Sequence, residues 1–196
     1  MSEAGLWNIA RDTPDAVAVV DVHGGQLTYG ELAARADRYG RGLQAMGLEP
    51  GDVLVMVLPN IVDTLAVYFA AMQTGLYIVA VNWHLTGPEI GYILSDSGAK
   101  VVVAHERFAE ASKIAADEAG LPAQGRFAVG NIEGFAPLST LGAEEPATRP
   151  DVRTMGAAML YTSGTTGKPK GVKRPLTGAD PDAVPVASAG FFALYD

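Results

Sequence analysis

Apolar residues along this chain fall into two patterns, short unbroken runs and runs spaced three and four apart, and the two alternate. Leu32, Ala36, Tyr39, Leu43 and Met46 recur at helical intervals behind Thr28 and Glu31, which stand in capping-box spacing, and Gly47 stops the run. The spacing predicts a capped helix. Val53–Leu58 is apolar at every position, which suits a strand buried on both faces of a parallel sheet, and Pro59 ends it. The long apolar stretch Ile61–Val81 is interrupted by Gln73, Thr74 and Gly75 together. It therefore predicts a buried helix over 61–74 and a strand around Tyr77–Val81, not a membrane span.

Thr86 and Glu89 repeat the capping-box spacing with Pro88 in the first turn, Ile90, Ile93 and Leu94 supply the apolar stripe, and Gly98 closes the helix. Lys100–Ala104 then predicts a buried strand, and Glu106–Ala119 a helix ending at Gly120. Nearer the N-terminus, the β-branched run Ala16–Asp21 and the Gly24-Gly25 turn before Leu27 predict a hairpin. Asn131–Pro150, rich in Gly, Pro, Ala and acidic residues with no sustained period, predicts an exposed connection. Ala157–Tyr161 predicts one more strand. Strands alternating with helices give an α/β fold, a largely parallel sheet with flanking helices.

Composition narrows the function. The chain has 196 residues, 48% of them hydrophobic, and no cysteine. Folding at that length buries roughly 70% of the unfolded surface, so stability requires neither disulfides nor a structural metal. Lys and Arg number 14 against 22 Asp and Glu, a net charge of −8, which disfavours a domain whose affinity rests on neutralising phosphates along a nucleic acid. The N-terminus carries Glu3, Arg11 and Asp12 and no signal-peptide apolar run, so a cytoplasmic protein is expected. A peripheral membrane contact and the oligomeric state stay open.

The densest chemistry lies at Thr162-Ser163-Gly164-Thr165-Thr166-Gly167-Lys168-Pro169-Lys170-Gly171, where ten residues hold four hydroxyls, three glycines and two lysines. Glycines let a backbone approach a ligand closely, so that successive N–H groups converge on one anion. Hydroxyls add donors that rotate to suit, and lysine brings compensating charge. Such a segment suits a polyphosphate, with a Gly/Ser/Thr surface linker as the alternative by composition alone. It is not a Walker A loop, because no glycine stands five residues before the Gly167-Lys168 pair, and it lacks the GxGxxG of a dinucleotide fold.

The order Tyr161–Gly171 (YTSGTTGKPKG) resembles the phosphate-binding loop of the adenylate-forming (AMP-binding) enzymes, which include acyl-CoA synthetases, aryl-CoA ligases, luciferases and nonribosomal adenylation domains. Leu27–Leu32 (LTYGEL), Gly47–Asp52 (GLEPGD), Pro59-Asn60 and Asn82–Lys100 are similar to that family in order and spacing, so the resemblance spans residues 7–171. Leu85–Lys100 looks most like acyl-CoA synthetases of fatty or aryl acids. The resemblance implies ATP-dependent activation of a carboxylic acid, a fatty acid foremost, to an acyl-adenylate and then to acyl-CoA, with Mg²⁺ accompanying ATP and coenzyme A as cosubstrate. It assigns nucleotide binding to Thr162, Ser163, Gly164, Thr165, Thr166, Gly167, Lys168, Lys170 and Gly171. Lys170 carries more weight than Lys168, which falls where the motif accepts many residues. Residues 1–172 then correspond to the N-terminal part of the AMP-binding domain. Residues 173–196, interrupted by Pro175, Pro181 and Pro185, are expected to be an incomplete, poorly ordered continuation.

Two departures stand out. After Gly171-Val172 most of the family continues with a hydroxyl residue and a histidine, whereas this chain reads Lys173-Arg174-Pro175-Leu176, like a subgroup of bacterial fatty-acyl-CoA synthetases. The family's adenine, ribose, hinge and C-terminal lysine elements also have no match; Tyr29-Gly30-Glu31 belongs to the capped helix. The chain alone is accordingly expected to be inactive, with a non-catalytic binding or assembly module as the alternative. Other chemistry finds little support. His23, His84 and His105 are isolated, no serine stands in GxSxG, and Asp117-Glu118 and Glu144-Glu145 suit solvated surface. Trp83 beside His84 suits either packing at a strand end or the border of a ligand tunnel.

Overall fold

The structure is a computed structural model and describes residues 5–22, 24–162 and 169–183. In chain order it contains α1 (Leu6–Asp12), β1 (Val17–Val20), β2 (Gln26–Thr28), α2 (Tyr29–Ala45), β3 (Val53–Val57), α3 (Val62–Gln73), β4 (Tyr77–Ala80), α4 (Gly87–Ser97) and β5 (Ala99–His105). α5 (Ala109–Glu118), β6 (Arg126–Val129), β7 (Ala136–Pro137), β8 (Ala157–Ala158), β9 (Leu160–Thr162) and β10 (Lys170–Val172) follow. Six strands form one sheet in the order β7-β6-β5-β3-β4-β8, with every neighbouring pair parallel. From β3 the chain winds first to β4 on one side and then to β5, β6 and β7 on the other. No helix among the described residues is long and apolar enough to cross a membrane.

The unbroken apolar runs are strands buried on both faces. Leu54 and Met56 of β3 and Val101 and Val103 of β5 pack against Leu32, Ala36 and Leu43 of α2 and Ala66 and Ala70 of α3. Val53, Val55 and Val57, with Val102 and Ala104, face Ile90, Ile93 and Leu94 of α4 and Ala115 and Ala116 of α5. Strand pleating, which sends successive side chains to opposite faces, produces this division.

Both predicted caps form. The Glu31 N–H donates to Thr28 Oγ1 at 3.2 Å while the Thr28 N–H donates to the Glu31 carboxylate at 2.8 Å. At α4 the Glu89 carboxylate accepts from both the Thr86 N–H and the Thr86 hydroxyl, each at 2.8 Å, and the backbone bond is the main reason its pKa lies below the usual value. Gly98 ends that helix in the left-handed region at φ 68°, where a Cβ would be strained.

Several expectations need correction. Asn131–Pro150 is not simply an exposed connection: it supplies β7, a 3₁₀ turn over Leu138–Thr140, and the buried side chains Ile132, Leu138 and Leu141. Irregular spacing hides those anchors from a periodicity argument. The helix expected from Glu106 begins as a 3₁₀ turn over Glu106–Phe108, with α5 proper starting at Ala109. Ala157–Tyr161 is divided between β8, which pairs with β4, and β9, which pairs with β10. Residues 173–183 run without regular structure along the domain; the Met155 N–H donates to the Ala179 carbonyl at 2.8 Å.

That segment ends in a polar cluster. The Asp182 carboxylate pairs with Arg149 at 2.7 Å and Arg153 at 2.9 Å, and Asn8 Nδ2 donates to the Asp182 carbonyl at 3.0 Å. Arg153 also donates to Gln73 Oε1 at 3.0 Å and lies 4.5 Å from the centre of the Trp7 ring. Trp7 Nε1 donates to the buried Asp37 carboxylate at 2.9 Å, and Gln73 Nε2 donates to the Ala36 carbonyl at 3.0 Å. Burial raises the Asp37 pKa, opposed by hydrogen bonds from Trp7 and Gln73 and by the charges of Arg153 and Arg149.

Two outcomes follow from these contacts. Thr28→Ala, which removes one half of the α2 capping box, is expected to lower unfolding free energy by about 1 kcal/mol in denaturant titration, with no change in slope. For Asp37, a carboxyl whose folded pKa is raised favours folding while protonated and loses that contribution as pH rises through the folded value. Asp37→Asn keeps an acceptor for the Trp7 N–H, so its melting temperature should exceed that of the unmodified chain at pH 7 and match it near pH 3. A greater advantage at pH 3 than at pH 7 would contradict the assignment.

Candidate functional site

Strand β8 runs parallel to β4, and the Met159 N–H then donates to the Ile78 carbonyl at 2.9 Å while the Met159 side chain enters the core. Beyond Met159 the chain leaves the sheet as β9 and returns as β10, an antiparallel pair with Thr162 opposite Lys170, Tyr161 opposite Gly171 and Leu160 opposite Val172. Of the residues singled out in the sequence, Thr162, Lys170 and Gly171 lie on these strands. Ser163, Gly164, Thr165, Thr166, Gly167 and Lys168 lie outside the described residues. Thr162 and Lys170 are both exposed and form a cross-strand pair, placing one hydroxyl and one cation on the same side of the ribbon.

The opposite side explains Gly171. A Cβ there would lie 2.9 Å from Cζ of the Tyr161 ring and would also meet the Met159 methyl. Glycine lets the Tyr161 ring lie across β10 and send its hydroxyl to the Asp96 carboxylate at 2.7 Å. Burial first, and then that carboxylate, hold the Tyr161 pKa well above the usual tyrosine range, so this hydroxyl stays a donor. Tyr77, Tyr92 and Asp96 were not marked by the sequence motifs, yet all three bond the hairpin region. The available signal was the i, i+4 spacing of Tyr92 and Asp96, which places both on one side of α4.

Beside the hairpin lies a cleft of about 670 Å³ at the C-terminal ends of β3 and β4, lined by Met56, Leu58, Tyr68, Ile78, Trp83 and Leu160 among others. Open parallel sheets bind ligands outside these strand ends, near the point where the winding reverses. Here the reversal falls between β3 and β5, and the cleft opens one strand away, over β3, β4 and β8. Trp83 packs at the strand end as expected. It borders the cleft while stacking on Phe108 at 5.2 Å and on His84 at 3.6 Å between ring centres. A second concavity of about 520 Å³ lies away from the hairpin, among Arg35, Tyr39, Asp63 and Leu138, where Arg35 pairs with Asp63 at 2.8 Å. Among the described residues no group of three or more His, Cys, Asp or Glu side chains could hold a metal ion.

The cleft is mostly apolar, and the neighbouring ribbon exposes the apolar Leu160 and Val172 nearer the sheet and Thr162 and Lys170 at its far end. Known proteins resemble this chain over most of its length. A feruloyl-CoA synthase of an Amycolatopsis species is 37% identical over 170 residues, covering 85% of this chain and 32% of that protein. A long-chain-fatty-acid–CoA ligase of Mycobacterium tuberculosis is 34% identical over 150 residues, covering 75% of this chain and 29% of that protein. The chain thus spans about a third of the length of the curated relatives it matches. A crystal structure of a putative long-chain-fatty-acid CoA ligase from Rhodopseudomonas palustris superposes with a TM-score of 0.70 at 26% identity, over 86% of this chain and 44% of that one. Residues 6–176 match the AMP-binding enzyme family, a span that contains the whole parallel sheet and both strands of the hairpin; the chain belongs to that family.

Proposed function

We propose that this chain is the N-terminal part of an ATP-dependent acyl-CoA synthetase whose substrate is a fatty acid, acting in the cytoplasm. In the first step a carboxylate oxygen attacks the α-phosphorus of ATP and pyrophosphate leaves, giving the acyl-adenylate. In the second, the thiol of coenzyme A attacks the acyl carbonyl, AMP departs and the thiol proton is released, giving the thioester. The observation that carries the reading is the pairing of Thr162 with Lys170 at the exposed end of a ribbon that borders an apolar cleft. Similarity to a feruloyl-CoA synthase and a long-chain-fatty-acid–CoA ligase supports an acid with an apolar body.

On this reading Thr162, Ser163, Gly164, Thr165, Thr166, Gly167, Lys168, Lys170 and Gly171 bind the phosphates of ATP. Negative charge accumulates on pyrophosphate as it departs, and donors and cations already in place stabilise that charge without reorganising. Lys170 lies on a paired strand, which sets where its flexible side chain starts, opposite the Thr162 hydroxyl. The described residues provide no ligand set for magnesium, which would enter with the nucleotide.

The 196-residue chain by itself is not expected to turn over. Rate enhancement needs nucleophile, α-phosphate and charge-stabilising groups held together, a term worth roughly 7 to 11 kcal/mol. The sequence matches only the family's phosphate loop among its nucleotide-binding elements. Incubation of the purified chain with MgATP, coenzyme A and acids from acetate to palmitate should yield no acyl-CoA by mass spectrometry. In a protein of the relatives' length, Lys170→Ala should slow single-turnover adenylation by roughly 10²-fold or more, with a smaller loss for Lys168→Ala. Equal, small losses from both substitutions would refute the loop assignment, and turnover by the chain alone would refute its incompleteness.

A further inference from the structure

We propose that Asp96, acting through Tyr161, is a positioning residue that holds the β9–β10 hairpin in place for binding the phosphates of a nucleotide; its link to phosphate rests on the function proposed above. The hairpin needs outside support. Two antiparallel strands of three residues each are marginal in water, and β9–β10 is a separate two-stranded sheet outside the six-stranded one.

Asp96 is placed to supply that support to β9, and Tyr92, one turn earlier on α4, to the residue before β10. Its Oδ2 accepts from the Tyr161 hydroxyl of β9 at 2.7 Å, and its Oδ1 lies 3.3 Å from the Tyr92 hydroxyl. The Tyr92 hydroxyl in turn lies 3.1 Å from the carbonyl of Pro169, the residue directly before β10. A phenol has one proton, so Tyr92 shares its proton between Asp96 and Pro169, whereas Tyr161 makes a short charge-assisted bond. The two bonds therefore reach the last residues before, and the first after, the segment 163–168.

Neighbouring contacts extend the same attachment. The Tyr77 hydroxyl donates to the Arg174 carbonyl at 2.6 Å, and Lys173 Nζ donates to the Ser97 carbonyl at 3.5 Å while lying 5.2 Å from the centre of the Tyr77 ring. These bonds hold only the chain beyond β10. Of the side chains named here, Asp96 is the one that accepts from β9 itself. Its location argues against a role in α4 itself. It sits in the last turn of that helix, where a negative charge opposes the helix dipole and aspartate has poor helix propensity.

The test uses the purified, ¹⁵N-labelled 196-residue chain with Asp96→Ala, Asp96→Asn, Tyr161→Phe and Tyr92→Phe. Amide exchange is read at residues 160–162 and 170–172 and, as an internal control, in β3 and β5; MgATP binding is read by titration of the same samples. Asp96→Ala and Tyr161→Phe should speed hairpin exchange by about tenfold, with β3 and β5 unchanged and MgATP binding weakened in parallel. Asp96→Asn, which keeps one acceptor oxygen, should restore part of both effects, and Tyr92→Phe should have the smaller effect. Unchanged hairpin exchange in Asp96→Ala would overturn the proposal, as would faster exchange with undiminished MgATP binding. Faster hairpin exchange in a protein whose unmodified form binds no MgATP would remove the phosphate reading and leave Asp96 as the residue that positions the hairpin.

Discussion

Burial of β3 on both faces is the constraint on which the rest of the domain depends. Every residue from Val53 to Val57 is at most 4% exposed, which requires a covering layer on each side and a strand neighbour on each edge. The helices supply the layers: α2 and α3 on the Leu54 and Met56 side, α4 and α5 on the Val53, Val55 and Val57 side. A strand in this position is parallel to both of its neighbours only if the chain crosses over each time, and here α3 and α4 make the crossovers to β4 and β5. All the parallel strand ends therefore emerge on one side, and the cleft lies there.

The hairpin depends on the same arrangement one step removed. β8 is held at the sheet edge by β4, Met159 anchors the departure in the core, and only then do β9 and β10 reach outward. The sheet fixes where the ribbon starts, and polar contacts from α4 and β4 fix how it lies. This combination suits a phosphate site, in which donors and charges must be preorganised while remaining accessible to a ligand. The apolar cleft contributes the complementary part, a surface for a body that avoids water.

Much of this was legible in the sequence because it is local. The two capping boxes at Thr28 and Thr86, the apolar strands Val53–Val57 and Val101–Ala104, and the glycine that ends α4 each follow from neighbouring residues. What was not legible depends on distant partners. Ala157–Tyr161 reads as one strand because period-two alternation carries no record of which strand each residue pairs with, and the exchange of partners at Met159 appears only when β4 and β10 are both present. Leu138 and Leu141 lie in a turn-rich stretch without period, so their burial is invisible locally. Asp96 reads as an ordinary surface acid on α4 until Tyr161 is brought alongside it. The phosphate-loop motif was the most specific signal in the chain, and its paired ends Thr162 and Lys170 are the part of it that the structure describes.

The central claim is that the ribbon and cleft at the C-terminal ends of β3 and β4 form the nucleotide and acid site. Its most direct test is chemical-shift mapping of the ¹⁵N-labelled chain during titration with MgATP and a fatty acid. The account predicts perturbations at Thr162, Lys170 and Gly171 with MgATP, and at Leu58, Trp83 and Leu160 with the acid. Perturbations centred instead on Arg35, Tyr39 and Leu138, in the concavity away from the hairpin, would contradict it.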